Sequence, residues 1–127
     1  MVFLWTKASA KLRGMTAIAQ TPKPPYFAVI FSSTRTEGDK GYEQMAQRMA
    51  ELAAEQPGFL GVESARDSAL GITVSYWESE AAIRRWKQHA EHQIAQETGM
   101  ATWYSNYRTR VALVERDYGK FRADNPG

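Results

Sequence analysis

Eight consecutive residues, Tyr26 to Ser33 (YFAVIFSS), leave a strand almost no polar side. Alternate side chains of an extended chain point to opposite faces, so Tyr26, Ala28 and Ile30 fall on one face and Phe27, Val29 and Phe31 on the other. Both sets are apolar, and a strand of that kind is covered above and below. Any fold for this chain must therefore place a layer on each side of it.

The following residues provide one layer. Thr36-Glu37-Gly38-Asp39 breaks the run, and from Lys40 apolar positions recur at Tyr42, Met45, Ala46, Met49, Leu52 and Ala53. That spacing is one stripe of a helix, and Pro57-Gly58 stops it. Phe59 to Arg66 (FLGVESAR) and Ile72 to Trp77 (ITVSYW) read as two strands, with a hairpin turn over Asp67-Ser68-Ala69-Leu70-Gly71. From Tyr76 to Gln96 the chain reads YWESEAAIRRWKQHAEHQIAQ, a strand end that becomes an amphipathic helix. Ser79 is its expected N-cap, with Glu78 and Glu80 at the positive end of the helix, which fades at Thr98-Gly99. Trp103 to Arg116 (WYSNYRTRVALVER) reads as a fourth strand of about fourteen residues, against a usual ~5–6.

The order β-α-β-β-α-β is the ferredoxin-like arrangement, an α+β fold with an antiparallel sheet and both helices on one face. The second layer is then expected from a second copy, a homodimer packed sheet to sheet, with the long last strand pairing across. We place the domain at residues 26–116. Residues 1–25 form an N-terminal extension ending in the Pro-rich linker Thr21-Pro22-Lys23-Pro24-Pro25, and 117–127 a polar tail. Met15 is a second candidate for the initiating residue.

Composition removes several function classes. Without cysteine there are no disulfides, thiolate nucleophiles or Cys-ligated metals, and a cytoplasmic location is expected. No run approaches the ~20 apolar residues of a membrane span. The net charge is +2, and Arg84, Arg85 and Lys87 stand among Glu78, Glu80 and Glu91, so no nucleic-acid partner is expected. No nucleophile elbow, P-loop or dinucleotide fingerprint is present.

The second helix holds both histidines of the chain. At 100° per residue, Ile83, Ala90 and Ile94 face the sheet, while Trp86, His89, Gln93 and Gln96 form a flank between core and solvent. His92 lies opposite the core band. His89 and His92 stand three apart, but a metal needs three or four ligands and no further cluster accompanies them, so no metal is expected. His89 is either a pocket residue or a satisfied boundary histidine. On the last strand Trp103, Ser105, Tyr107, Thr109 and Val111 share one face by alternation, and Tyr104, Asn106, Arg108 and Arg110 the other. Arg108 and Arg110 suit either an anionic aromatic ligand or an edge strand kept soluble by charge.

Two local patterns resemble the antibiotic biosynthesis monooxygenase family. One is the strand end Tyr76-Trp77 followed by Glu78-Ser79-Glu80-Ala81-Ala82-Ile83 and Trp86; the other is Pro57-Gly58-Phe59-Leu60-Gly61-Val62. The resemblance covers about residues 26–116 and implies a dimeric α+β barrel, with a pocket between helices and sheet in each protomer. Some similar members oxygenate polycyclic phenols or quinols with O₂ and no metal or flavin, the deprotonated substrate acting as reductant. Others degrade haem with an Asn on the first strand, a Trp on the second helix and an axial His farther along it. Trp86 matches that Trp, Gln96 stands at the His position and Phe31 near the Asn position. The resemblance thus implies a monooxygenase without a cofactor, acting on a small aromatic or quinol. Trp86 and His89 would be its catalytic pair, and Trp103, Tyr107, Gln93, Gln96 and Phe31 its lining. The alternatives are a haem-binding or haem-degrading enzyme and a dimeric ligand-binding or stress-response module without turnover.

Overall fold

The computed structural model describes residues 18–97 and 100–120, and over 94–97 it describes the helical backbone. In chain order the elements are β1 (Tyr26–Arg35), α1 (Tyr42–Ala54), β2 (Phe59–Arg66), β3 (Gly71–Trp77), α2 (Glu80–Glu97), a short 3-10 helix (Met100–Thr102) and β4 (Tyr104–Val114). The β-α-β-β-α-β order holds, and the last strand is 11 residues long. The sheet runs β2-β3-β1-β4 with every pairing antiparallel, so the fold is α+β and ferredoxin-like.

Local chemistry sets the joints. In the hairpin turn Asp67 Oδ1 accepts from the N–H groups of Ala69 (2.7 Å) and Leu70 (2.8 Å), and Asp67 N donates to Leu70 O (3.0 Å). Those backbone donors, Leu70 first, hold the exposed Asp67 carboxyl below its ordinary value. Ahead of α1, Lys40 and Gly41 both have positive φ, and the Asp39 carboxylate accepts from Gly41 N (2.9 Å) and Glu43 N (3.3 Å). Ser79 caps α2 as expected, its Oγ accepting from Ala82 N at 3.1 Å. Gly58 sits at φ +89, and a Cβ there would lie 2.6 Å from Cβ of Ala82. The first turn of α2 thus rests on bare backbone, which fixes how the helix leaves β3.

The helices bury two clusters on one face of the sheet. One contains Ala53, Trp77, Ala82 and Ile83, with Phe27, Val29, Phe59 and Trp86 against it. The other contains Tyr42, Met45 and Trp103, with Ala46, Met49 and Tyr104. Direct partners in an antiparallel ladder share a face, so Phe27, Val29, Phe31 and Ser33 look toward the helices along with Trp77, Ser75, Thr73 and Gly71.

The other face departs from the expectation that a single chain has no second layer to offer. Tyr26 and Ala28 are each only 5% exposed in the lone chain. The segments flanking the domain supply part of the cover. Thr21 Oγ1 donates to the Tyr26 hydroxyl (3.0 Å), which donates to Asp117 Oδ2 (2.5 Å). Ala19 N donates to Glu63 Oε2 (2.9 Å), whose other oxygen accepts from Tyr76 OH (2.7 Å). A polar contact every few residues lets a proline-rich segment lie along a sheet without a helix's apolar stripe.

Candidate functional site

Helix α2 leaves the sheet beside Trp77, and the chain returns at Trp103. There the Trp103 carbonyl accepts from Thr36 N (3.0 Å) and Arg35 Nε (2.8 Å), at the far end of β1. Its 18 residues span roughly 27 Å at 1.5 Å each, about the reach of β1 from Phe27 to Arg35 at ~3.3 Å per residue. The helix therefore runs the length of the sheet. It does not roof β4: Tyr107 (52%), Val111 (49%) and Leu113 (48%) are exposed although they pair with Ser33, Val29 and Phe27 on the helix face. The helix face of β4 is thus left open beside β1, and this open strip is the candidate groove.

Trp86 and His89 meet on the inner flank of α2, as helical phase predicts. The Trp86 ring stacks on Trp77 (centroids 6.1 Å, 21°), and the His89 ring lies 6.0 Å from Trp86, tilted by 32°. His89 Nε2 is buried and has no hydrogen-bond partner among the described residues. Buried polar atoms in native proteins are nearly always bonded, which makes this imidazole nitrogen, beside an aromatic ring, a candidate contact for a ligand. Gln93 is half-buried one turn on, and His92 is exposed. The side chain of Gln96 lies outside the described residues.

Phe31, Tyr104 and Tyr107 form a second aromatic group farther along the groove. Phe31 is edge-on to Tyr104 (5.2 Å) and 5.8 Å from Tyr107, and the two tyrosines are 6.2 Å apart. Strict alternation puts Tyr104 and Tyr107 on opposite faces. The structure brings them together because the ladder slips at Thr34/Arg35, where Thr34 pairs with Asn106 and Arg35 with Tyr104. Ser105 is the extra residue, bonded through its hydroxyl to that of Thr34 at 2.8 Å. Trp103 lies just before the strand at 3% exposure, its Nε1 donating to Lys40 O at 2.9 Å. It belongs to the buried cluster with Tyr42 and Met45 against which Tyr104 packs. Arg108 and Arg110 are exposed on the opposite face, across from Ser32 and Ile30.

Sequence reasoning missed Arg66, whose guanidinium lies across Gly71 and reaches Ser33 on the helix face. The pairing Arg66–Gly71–Ser33 was invisible without the register, although a glycine opposite a strand-end arginine is a usable signal. Among the described residues no three or more His, Cys, Asp or Glu side chains gather as metal ligands. Nor is any described helix long and apolar enough to cross a membrane.

Three phenols are pushed above their ordinary range, burial being the first cause in each. Asp117 adds to it for Tyr26, Glu63 for Tyr76 and Tyr42 for Tyr104. The folded chain thus holds these protons to higher pH than the unfolded chain, which releases them near ~10. Their contribution is complete below that pH and is lost as pH rises beyond it, because only the unfolded state gains by ionising. Urea midpoints should therefore fall between about pH 9 and about pH 11, and Tyr104→Phe should lessen the fall. An unchanged midpoint would contradict the assignment.

Comparison with known proteins extends this picture. A family model described as antibiotic biosynthesis monooxygenase matches residues 25–98. YqjZ, an uncharacterized protein of Bacillus subtilis, is 56% identical over 103 residues, covering 80% of this chain and 90% of YqjZ. SnoaB, a cofactor-independent oxygenase from Streptomyces nogalater, aligns with a TM-score of 0.57 at 16% identity, over 76% of this chain and 97% of its own. PA3566 from Pseudomonas aeruginosa aligns at 0.56 with 20% identity, over 76% and 99%. At such identities the two structures establish a shared fold and nothing finer.

Proposed function

The chain belongs to the antibiotic biosynthesis monooxygenase family, and from that premise we propose that it oxygenates a small aromatic or quinol substrate with O₂ and no cofactor. The observation that carries the reading is His89 Nε2, buried, without a hydrogen-bond partner among the described residues and about one helical turn from Trp86. The Trp86 ring beside His89 and the Phe31–Tyr107 pair on the sheet offer aromatic surface for a phenol or anthrone. His89 takes its acidic proton, and the resulting anion is electron-rich enough to reduce O₂ directly. Electron transfer and recombination give a hydroperoxide, which loses water to leave a quinone. For anthrone the balance is anthrone plus O₂ to anthraquinone plus water.

Phe31 packs against two tyrosines and offers no hydrogen bond at the position where the haem-degrading resemblance requires Asn. That favours the cofactor-free reading. The lack of cysteine supports a reducing, cytoplasmic setting. We also assign a homodimer, supported by β4, an edge strand exposed along nearly all of its 11 residues with apolar Val111 and Leu113 uncovered. Light scattering at micromolar concentration should give twice the 14.3 kDa chain mass; the single-chain mass would remove the dimer.

Oxygen uptake by chelator-treated protein across a panel of hydroquinones and anthrones tests the activity. Uptake above the protein-free rate is the expected result. No uptake anywhere in the panel would leave the binding module in its place. A Soret shift saturating at one haem per chain and absent in His89→Ala would favour the haem alternative.

A further inference from the structure

Arg66, the last residue of β2, plays no part in the reaction just described. Its side chain crosses the helix face of the sheet to β1, and it can do so because Gly71 has no Cβ. One built there would collide with Cζ, Nε and Nη2 of the guanidinium. Nη2 donates to the hydroxyl of Ser33, itself only 2% exposed. The bare glycine and the buried serine form a seat for this one group.

The nearest counter-charge to Arg66 is an exposed one: Asp67, the next residue, feels the Arg66 charge, but its carboxylate is bonded to the turn N–H groups of Ala69 and Leu70. Arg35 nearby is tied to the backbone: Nε bonds Trp103 O at 2.8 Å, Nη2 bonds Gly38 O at 3.1 Å, and its Cζ lies 3.6 Å from the centre of the Tyr42 ring. Arg66 reaches the same ring only at 5.8 Å, and its hydrogen-bond partner is a neutral hydroxyl. A guanidinium carries five donors. A half-buried guanidinium bonded in its seat to a neutral hydroxyl keeps donors to spare, and an arriving carboxylate or phenolate would take them.

The surroundings say which kind of anion. Tyr104 is edge-on to Tyr42 at 5.7 Å and to Phe31 at 5.2 Å, so the approach to Arg66 is walled by rings. Burial first, and then Tyr42, raise the Tyr104 phenol above its ordinary range, and its hydroxyl is hydrogen-bonded with that of Tyr42. Phe31 stands two residues before Ser33 on the same strand face, roughly 7 Å away. A flat ligand lying against Phe31 thus has its edge within reach of the guanidinium.

We propose that Arg66, seated by Gly71 and Ser33, is the anion subsite of the groove and takes the ionised oxygen of a planar aromatic acid or phenol. The assignment rests on reading the groove as an aromatic site, but not on turnover. Calorimetric titration with 2-naphthoate and with its uncharged counterpart 2-naphthylmethanol tests it on the wild type, Arg66→Met, Arg66→Lys and Gly71→Ala. Arg66→Met should weaken naphthoate about tenfold or more, the worth of a charge-assisted hydrogen bond or two, and leave naphthylmethanol within about twofold. Arg66→Lys keeps the charge but not the fork and should fall between. Gly71→Ala keeps the arginine and should mimic Arg66→Met by unseating it. A purely structural arginine would weaken both ligands alike, and that result overturns the proposal. So does naphthoate affinity unchanged in Arg66→Met, or wild type that fails to bind naphthoate at millimolar concentration. If the charge discrimination is found but no substrate drives oxygen uptake, the subsite stands and the oxygenase reading falls. If uptake is found without the discrimination, the subsite alone falls.

Discussion

Trp77→Ala is expected to cost about 3–5 kcal/mol of stability, the range for emptying a large aromatic from a core. Trp77 is the one large side chain among the described residues with no exposed surface at all. It touches every element that shapes the inner end of the groove. Phe59 is edge-on to it at 5.5 Å, Trp86 stacks on it, and Ala53, Ala82 and Ile83 close over it from the helices. Its Nε1 donates to Ser75 Oγ at 2.8 Å, so alanine also leaves that hydroxyl without its donor. Urea unfolding should show a lower midpoint with an unchanged slope. A loss below about 1 kcal/mol would mean that the site collapses freely, contrary to the packing described. Because Trp86 rests on Trp77, ligand affinity should fall in any Trp77→Ala protein that stays folded.

The second large effect is catalytic. His89→Ala should lower oxygenation about 10²–10⁴-fold, the usual worth of a positioned general base. Stability should barely move, since the lost nitrogen has no hydrogen-bond partner among the described residues and alanine favours a helix. His92→Ala is the internal control: His92 is exposed on the same helix and should leave the rate within about twofold. Equal losses in the two variants would remove His89 from the mechanism.

Much of this was legible in the sequence, and the gaps have physical causes. The doubly apolar β1, the stripe from Tyr42 to Ala53 and the Ser79 cap rest on local periodicity and capping, which tertiary context left intact. The neighbourhood of Trp86 and His89 followed from helical phase alone. Tyr104 and Tyr107 did not, because one extra residue at Ser105 inverts the alternation and no residue type announces a bulge. Arg108 and Arg110 drew attention as cations beside tyrosines, yet the strand turns them to the far face. Arg66 supplies a cation on the helix side instead, through a register across three strands that no local pattern encodes. The cover on Tyr26 was also missed, because Thr21 and Asp117 lie in segments whose composition reads as linker and tail.

The central claim is that this groove activates an aromatic substrate toward O₂ with protein side chains alone. Labelled oxygen tests it most directly: chelator-treated protein is given anthrone under ¹⁸O₂, and the anthraquinone is analysed by mass. The account predicts one ¹⁸O atom per anthraquinone, formed faster than in the protein-free control and faster than with His89→Ala. Product formation no faster than the control, or product carrying no ¹⁸O, would contradict it.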